Sequence, residues 1–349
     1  MECKRFLNSA GMLAAYAVFS YTEFNHKFFT RLFPPGDKKK IVNLSGTHLP
    51  FLSNSSQAIF PTYLNRTMTV KLKGHDVKVH ALCTGTVAVK KNFFTKHGIG
   101  EFAKINILLD QYYTDYLPIW VWVIEHPDGL IVIDTGESTS IMDIDKYLKN
   151  ESAFLRYQLR HASKFHVYQR DELNYQLNKI SLKVEDVNLV ILTHLHLDHT
   201  DGLKFFKNKE VIIGDYECNH PTNNMPSTMP VWFKPNKVNY RNNRIAVFDQ
   251  AYSITESEDL LYIATPGHTH GHSSVVLKTD HFDIIFAGDT SYNQAQVITG
   301  ELAGVNADYE KSTQTYQKIL QYASVHKTIY LPSHDIRSGE RLFNKEFLV

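Results

Sequence analysis

Cysteine is almost missing from this 349-residue chain. Cys3, Cys83 and Cys218 are all it has, and no two of them are spaced as Cys-x-x-Cys. That argues against a disulfide framework and against a cysteine-held structural zinc. A surplus of charge is missing too: 37 lysines and arginines face 36 acids, a formal net charge of +1, so nothing points to nucleic acid as a partner. Long apolar runs are also lacking. The uncharged stretch Phe6–Thr22 is short of the roughly 20 apolar residues that span a bilayer and carries Asn8, Ser9 and Ser20, so a stable membrane span is not expected. Repeats and low-complexity tracts are absent as well. What is present is a 43% hydrophobic, 12% aromatic composition, enough to bury a large core in one large domain or two ordinary ones.

The N-terminus admits two readings. Lys4 and Arg5 ahead of an apolar stretch, with Ala15 and Ala17 further on, fit an export leader and a periplasmic destination. "KRFLNSAGMLAA" resembles a twin-arginine export signal, with Cys3 and Lys4 where the two arginines would stand. The other reading is an N-terminal helix docked on a cytoplasmic domain. Residues 34 to 74, broken by Pro34-Pro35-Gly36 and Lys38–Lys40, read as a connecting or wrapping segment without a core of its own. Beyond it the pattern becomes regular. "VKVHALCTG", "IWVWVIE", "LIVIDTG", "NLVILT", "EVIIGD", "RIAVF", "LLYIAT", "SSVVLKT", "DIIFAGD" and "TIYLPS" read as short strands, with a hairpin turn at Asp128-Gly129. "SIMDIDKYLKN", "DELNYQLNKISL" (N-capped by Asp171) and "ADYEKSTQTYQKILQYASV" have helical spacing. Strands in runs with few helices suggest two packed sheets flanked by helices.

Ligand-type residues collect directly behind these strands. "THLHLDHTDG" places His194, His196, Asp198 and His199 after "NLVIL". "TPGHTHGH" brings His268, His270 and His272 after "LLYIA", Asp289 follows "DIIFAG", and His334-Asp335 follow "TIYLPS". If the strands share an edge, the four loops converge there. His194 and His196, two residues apart, point the same way in extended chain and can grip one ion. Asp198 and His199 follow a turn and can face a second. Imidazole and carboxylate without thiolate suit Zn, Fe, Mn or Co. A lone carboxylate on its own loop, Asp289, suits a bridge between two ions.

The series HxHxDH, a glycine-flanked histidine, a lone aspartate and a histidine at the last strand, together with "VIDTG" at Val132–Gly136, resembles the metallo-β-lactamase superfamily over residues 75 to 349. "LPIWVWVIE", "AGDTSY" and "LPSHDI" resemble the N-acyl homoserine lactonases within it. The resemblance implies an α/β fold of the αββα sandwich type, a catalytic domain at 75–349 behind an N-terminal extension at 1–74, and two divalent ions, zinc first. By it, His194, His196 and His268 hold one ion, Asp198, His199 and His334 the other, and Asp289 both. It also implies a metal-dependent hydrolase that opens lactone rings, a quorum-quenching activity. On this reading Tyr292, three residues past Asp289, is expected to donate a hydrogen bond to the developing oxyanion, and the leaving group to be protonated through Asp198 or water. Rival readings are a phosphotriesterase, thioesterase or general esterase of the same fold, and a non-hydrolytic di-iron protein handling oxygen or nitric oxide. The substrate expected is a small lactone or ester, and a homodimer is allowed.

Several neighbours take supporting roles in this reading. Asp134 is expected to orient a ligand histidine, His272 to bond backbone near the site, and His270 to be a loop residue. Asp335 reads as structural as readily as catalytic. Where the family carries a run of small residues after its last cluster histidine, this chain has Thr200-Asp201-Gly202, and Asp201 is expected to cap the next helical turn. "LLDQYYTDYLPIW" and "MPSTMPVWF" read as loops over the cleft mouth, as apolar cover for an acyl chain or as a core or dimer contact.

Overall fold

The computed structural model describes residues 63–349 apart from 101 and 241–244. The export-leader reading and most of the wrapping segment lie outside the described residues. Among those described, no helix is long and apolar enough to cross a membrane.

Among the described residues, thirteen strands form two mixed sheets. The larger holds β1 (Arg66–Leu72), β2 (His75–Val89), β3 (Leu117–His126), β4 (Gly129–Ile133), β5 (Ser163–His166), β6 (Val187–Ile191), β7 (Glu210–Gly214) and β8 (Asn236–Val238). The smaller holds β9 (Ala251–Ser253), β10 (Leu260–Ala264), β11 (Ser273–Lys278), β12 (Asp283–Gly288) and β13 (Thr328–Pro332). Alternation along β3 shows why they stack. Trp120, Trp122 and Ile124 face the smaller sheet and join Tyr262, Val275, Phe286 and Leu331 in the central core. Val121 and Val123 point the other way, to a layer with Leu173, Leu177, Leu203 and Phe206. Helices Gln294–Thr299 and Tyr309–Val325 cover the smaller sheet through Val297, Tyr316 and Ile319. A strand buried on both faces needs a continuous apolar run, which "LPIWVWVI" supplies. The result is a helix–sheet–sheet–helix sandwich, as the strand pattern led one to expect.

Four details differ from the sequence reading. Arg66–Leu72, inside the stretch read as connecting, is strand β1, paired antiparallel with β2, and buries Met68, Val70 and Leu72 in the central core. Its alternation is plain, but the prolines and glycine upstream masked it. "RIAVF" is no strand: Ile245 and Phe248 close a turn in which Ala246 has a φ of 51°. Asp171 does not cap the helix Leu173–Lys179; its carboxylate accepts from Tyr168 N–H (3.0 Å) in the preceding 3-10 turn. Asp201 does not cap its own turn either. Buried, it accepts from the Ser138 N–H (3.1 Å) and hydroxyl and from Tyr147, because the loop after β4 packs on it before solvent or its own backbone can.

Topology brings the strand ends together. β4 and β6 are adjacent and parallel, so Asp134 and the first histidine cluster leave the larger sheet side by side. β10 and β12 are each antiparallel to β11 and therefore run the same way, and β13 lies parallel to β12. Their C-terminal ends open along one edge of the smaller sheet. The converging loops thus come from two sheets rather than one.

Candidate metal centre

Seven side chains meet at this seam. His194, His196, His268 and Asp289 form one group whose ligand atoms lie within 4.8 Å of one another, and Asp198, His199 and His334 form a second. The two groups touch through Asp289. Its Oδ2 lies 3.4 Å from His268 Nε2 and 3.3 Å from His334 Nε2, and its Oδ1 lies 3.2 Å from His199 Nε2. His334 Nε2 is also 3.2 Å from Asp198 Oδ2. Neighbouring donors on a tetrahedral zinc with bonds of about 2.0–2.1 Å stand about 3.3 Å apart, so these separations suit a shared ion.

Four of the five histidines have one nitrogen engaged behind them, which aims the other inward, whereas His268 Nδ1 is buried without a partner. His334 Nδ1 donates to Pro118 O (2.9 Å) and His196 Nε2 to Thr222 O (3.1 Å); a carbonyl only accepts, so in the neutral imidazole the inward nitrogen is the one with the lone pair. His199 Nδ1 donates to Asp134 Oδ2 (2.8 Å). Asp134, at the sharp turn after β4 with a φ of 59°, also accepts from the Thr193 N–H (2.8 Å) and hydroxyl. It therefore orients a histidine, as expected of it. His194 Nδ1 meets Thr193 Oγ1 (3.0 Å), and His196 Nδ1 stands 2.9 Å from His268 Nε2.

Without cations the cluster is ill at ease. His194 Nε2, His199 Nε2 and Asp289 Oδ1 are buried with no hydrogen-bond partner. Such orphans are rare in folded proteins and mark a site built for something else. Burial, reinforced by the neighbouring imidazoles, holds His194 far below the usual histidine range; burial likewise lowers His196 and His268, so all three are neutral, as ligands must be. The other half behaves in the opposite way. Burial works against charge on His334, yet Asp289 and Asp198 push it up to about 10, and Asp289, Asp134 and Asp198 raise His199 in the same manner. The carboxylates of Asp289, Asp134 and Asp198 demand positive charge here, and protons supply it when ions do not. The donor set, the spacing and the orphaned atoms all fit a pair of divalent ions.

The remaining sequence candidates fall around the cluster. His272 Nε2 accepts from Asp289 N–H (3.0 Å) while Nδ1 faces Thr265 O (3.2 Å), so it fastens backbone near the site, and burial drives it down to about 3. His270 is an exposed loop residue. Asp335 is structural, bound by Arg341 (3.0 Å) and by the backbone N–H groups of Gln294 and Arg337. Tyr292 is buried, with its ring stacked on His334 (centroids 5.3 Å apart) and flanked by Phe93 and Phe94. Burial, then Asp289 and Asp198, push its phenol well above the ordinary tyrosine range, so it stays a donor. Of the two loops, "MPSTMPVWF" is partly core cover: Met225 packs on Leu197 of the ligand turn, and Trp232 backs the outer layer. In the other, Tyr113 lies between the ammonium groups of Lys90 and Lys164, each 4.0 Å from its ring.

Sequence reasoning missed Thr193, Glu217 and the carbonyls of Pro118 and Thr222. Thr193 could have been suspected from its place directly before His194. The carbonyls leave no trace in side-chain identity.

Comparison with known proteins adds a family and relatives. A family model for the metallo-beta-lactamase superfamily matches residues 114–334. An N-acyl homoserine lactonase of Bacillus cereus is 26% identical over 255 residues, 72% of this chain and 95% of the relative. The N-acyl homoserine lactonase AttM of Rhizobium radiobacter is 24% identical over 276 residues, 74% of this chain and 94% of the relative. Among solved structures, an N-acyl homoserine lactone hydrolase with N-hexanoyl-L-homoserine bound at its catalytic metal center superposes with a TM-score of 0.61 at 19% identity. It covers 78% of this chain and 96% of its own. A dizinc quorum-quenching lactonase, AidC, gives 0.51 at 16% identity over 78% and 92%.

Proposed function

The chain belongs to the metallo-β-lactamase superfamily, and from that premise we propose that it is a dinuclear metal hydrolase that opens the rings of N-acyl homoserine lactones. One observation carries the reading: the ligand-type atoms of seven side chains from the ends of four strands converge, and buried atoms among them have no other partner. The lactonase names of relatives that this chain covers almost end to end support the lactone as substrate. Zinc is the ion we assign, since imidazole and carboxylate donors at these separations suit it.

A bound pair of divalent ions supplies Lewis acidity and a water of lowered pKa. The chain's own residues do the rest. His194, His196 and His268 would hold one ion, Asp198, His199 and His334 the other, and Asp289 would contribute to both. Asp134 fixes the His199 ring so that only Nε2 faces inward. Tyr292 donates its phenol O–H to the lactone carbonyl oxygen as that oxygen gains charge. Asp198, least enclosed of the three carboxylates Asp134, Asp198 and Asp289, takes up the proton released by the attacking water and passes it to the departing alkoxide. The aromatic ring wall of Phe93, Phe94 and Tyr292 offers apolar surface to an acyl chain.

The test is a substrate panel run beside elemental analysis. N-hexanoyl homoserine lactone should be opened well ahead of a phosphotriester, a thioester and a β-lactam by protein holding two ions per chain. A phosphotriester cleaved in preference to the lactone would move the function to a rival of the same fold.

A further inference from the structure

Glu217 belongs to neither group of ligand-type side chains, yet it touches both loops that supply the histidines of the first one. It sits in the short helix Asp215–Asn219 that follows β7, fully buried. Its Oε1 accepts from the Leu195 N–H (3.1 Å), and Leu195 lies between His194 and His196. Its Oε2 accepts from the Thr269 hydroxyl (2.7 Å), and Thr269 follows His268 directly. The Gly271 backbone adds a third hydrogen bond. The contact is close enough that a Cβ on Gly271 would run into the Glu217 backbone and lie 2.8 Å from the Glu217 Cβ. Every partner is a donor, so the carboxylate acts here as an acceptor with each oxygen engaged by one of the two loops.

The second group is anchored elsewhere. His199 leans on Asp134 and His334 on Pro118 O, and neither anchor contacts Glu217. We propose that Glu217 is a positioning residue that clamps the His194–His196 loop to the His268 loop, so that it sets the affinity of the ion those three histidines hold and not that of the other. The proposal rests on the two-ion reading above. The physical reason is geometric: three imidazoles from two sheets must meet at one point within tenths of an ångström. A single carboxylate spanning both loops removes the relative motion that would spread them. Partners of this kind are worth about 10–100-fold in metal affinity.

The experiment is a zinc titration against a competing chromophoric chelator, which resolves two dissociation constants in the parent protein. Glu217→Ala should weaken one ion by about 10–100-fold and leave the other as it was. Glu217→Gln, whose amide oxygen can still accept from Leu195, should fall between that variant and the parent. Background substitutions identify the ion. With His334→Ala disabling the second group, Glu217→Ala should weaken the ion that remains; with His268→Ala disabling the first, it should change nothing further. Thr269→Val removes one donor while leaving the carboxylate in place, and serves if Glu217→Ala does not fold; it should weaken the same ion less. The clamp is overturned if these variants keep both parental constants, or if both constants fall together with the melting temperature of the metal-free protein. A parent that binds fewer than two zinc ions overturns the two-ion reading itself, and the clamp with it.

Discussion

His199 and His334 tie metal uptake to pH. Asp289 and its fellow carboxylates raise both against the effect of burial, His334 to about 10, so the metal-free protein holds these protons through the neutral range. An ion must displace them. Zinc binding should therefore release protons, and apparent affinity should climb as pH rises toward 10 and fall below neutrality. Titration calorimetry in buffers of different ionisation heat reads the proton count directly; uptake without release would contradict the electrostatics described. Asp289 stands in the first group and also lies 3.2 Å from His199 and 3.3 Å from His334 of the second. Asp289→Ala leaves two cations at close range with nothing between them, so at least one ion should be lost together with activity. The variant should still fold, since Asp289 sits beyond the apolar end of β12; two retained ions by elemental analysis would mean the bridge lies elsewhere. Tyr292→Phe keeps the ring that stacks on His334 and removes one donor. Lactone turnover should drop by up to about 10²–10³, less if a cation shares the charge, with metal content unchanged.

At the scale of elements, the site depends on how closely the loop after β4 meets the turn that carries the first cluster. Thr135 N–H and its hydroxyl both bond His199 O, and Gly202 N–H bonds Gly136 O. A methyl group at Gly202 would overlap the Thr135 carbonyl, so this position is closed to any side chain. Gly202→Ala should force the two loops apart and cost about 1–3 kcal/mol, as overpacking does. It should also reduce metal content, because Asp134 and His199 ride on those same loops. A thermal melt together with elemental analysis checks both effects; an unchanged melting temperature with full metal would show that the loops yield easily. The neighbouring pair Asp201 and Glu137 is buried as well, and burial followed by the charge on Asp201 holds the Glu137 carboxyl well above its usual range. That shift favours the protonated form of Glu137, which eases the repulsion between two carboxyl groups in a dry space.

Across the whole molecule, stability and chemistry are separable. The core between the sheets contains aromatic and branched aliphatic side chains such as Trp122, Tyr262, Phe286 and Leu331, and none of the seven ligand-type residues belongs to it. Removing the ions should therefore abolish hydrolysis while the sheets persist. Exhaustive chelation followed by circular dichroism should show retained secondary structure, and zinc should restore activity. Collapse of the far-ultraviolet signal on chelation would mean that the ions hold the sandwich together.

The sequence alone determined the strands that are buried on both faces, because such strands need unbroken apolar runs, and it determined the ligand-type clusters, because metal chemistry admits few residue types at few spacings. "LPIWVWVI" and "HLHLDH" were legible for those reasons. It did not determine which sheet each strand joins. Nothing within "NLVI" or "LLYIA" encodes a partner strand, so the meeting of His194 with His268 across two sheets was visible only once β10, β11 and β12 had paired. Asp201 and Asp171 carry the mark of helix caps, and tertiary packing gave their oxygens to other donors. Glu217 carried no signal at all: an acid on a short helix is ordinary until the fold buries it between two loops. Local chemistry is written in residue type and spacing, whereas hydrogen bonds between distant segments exist only after the chain has closed on itself.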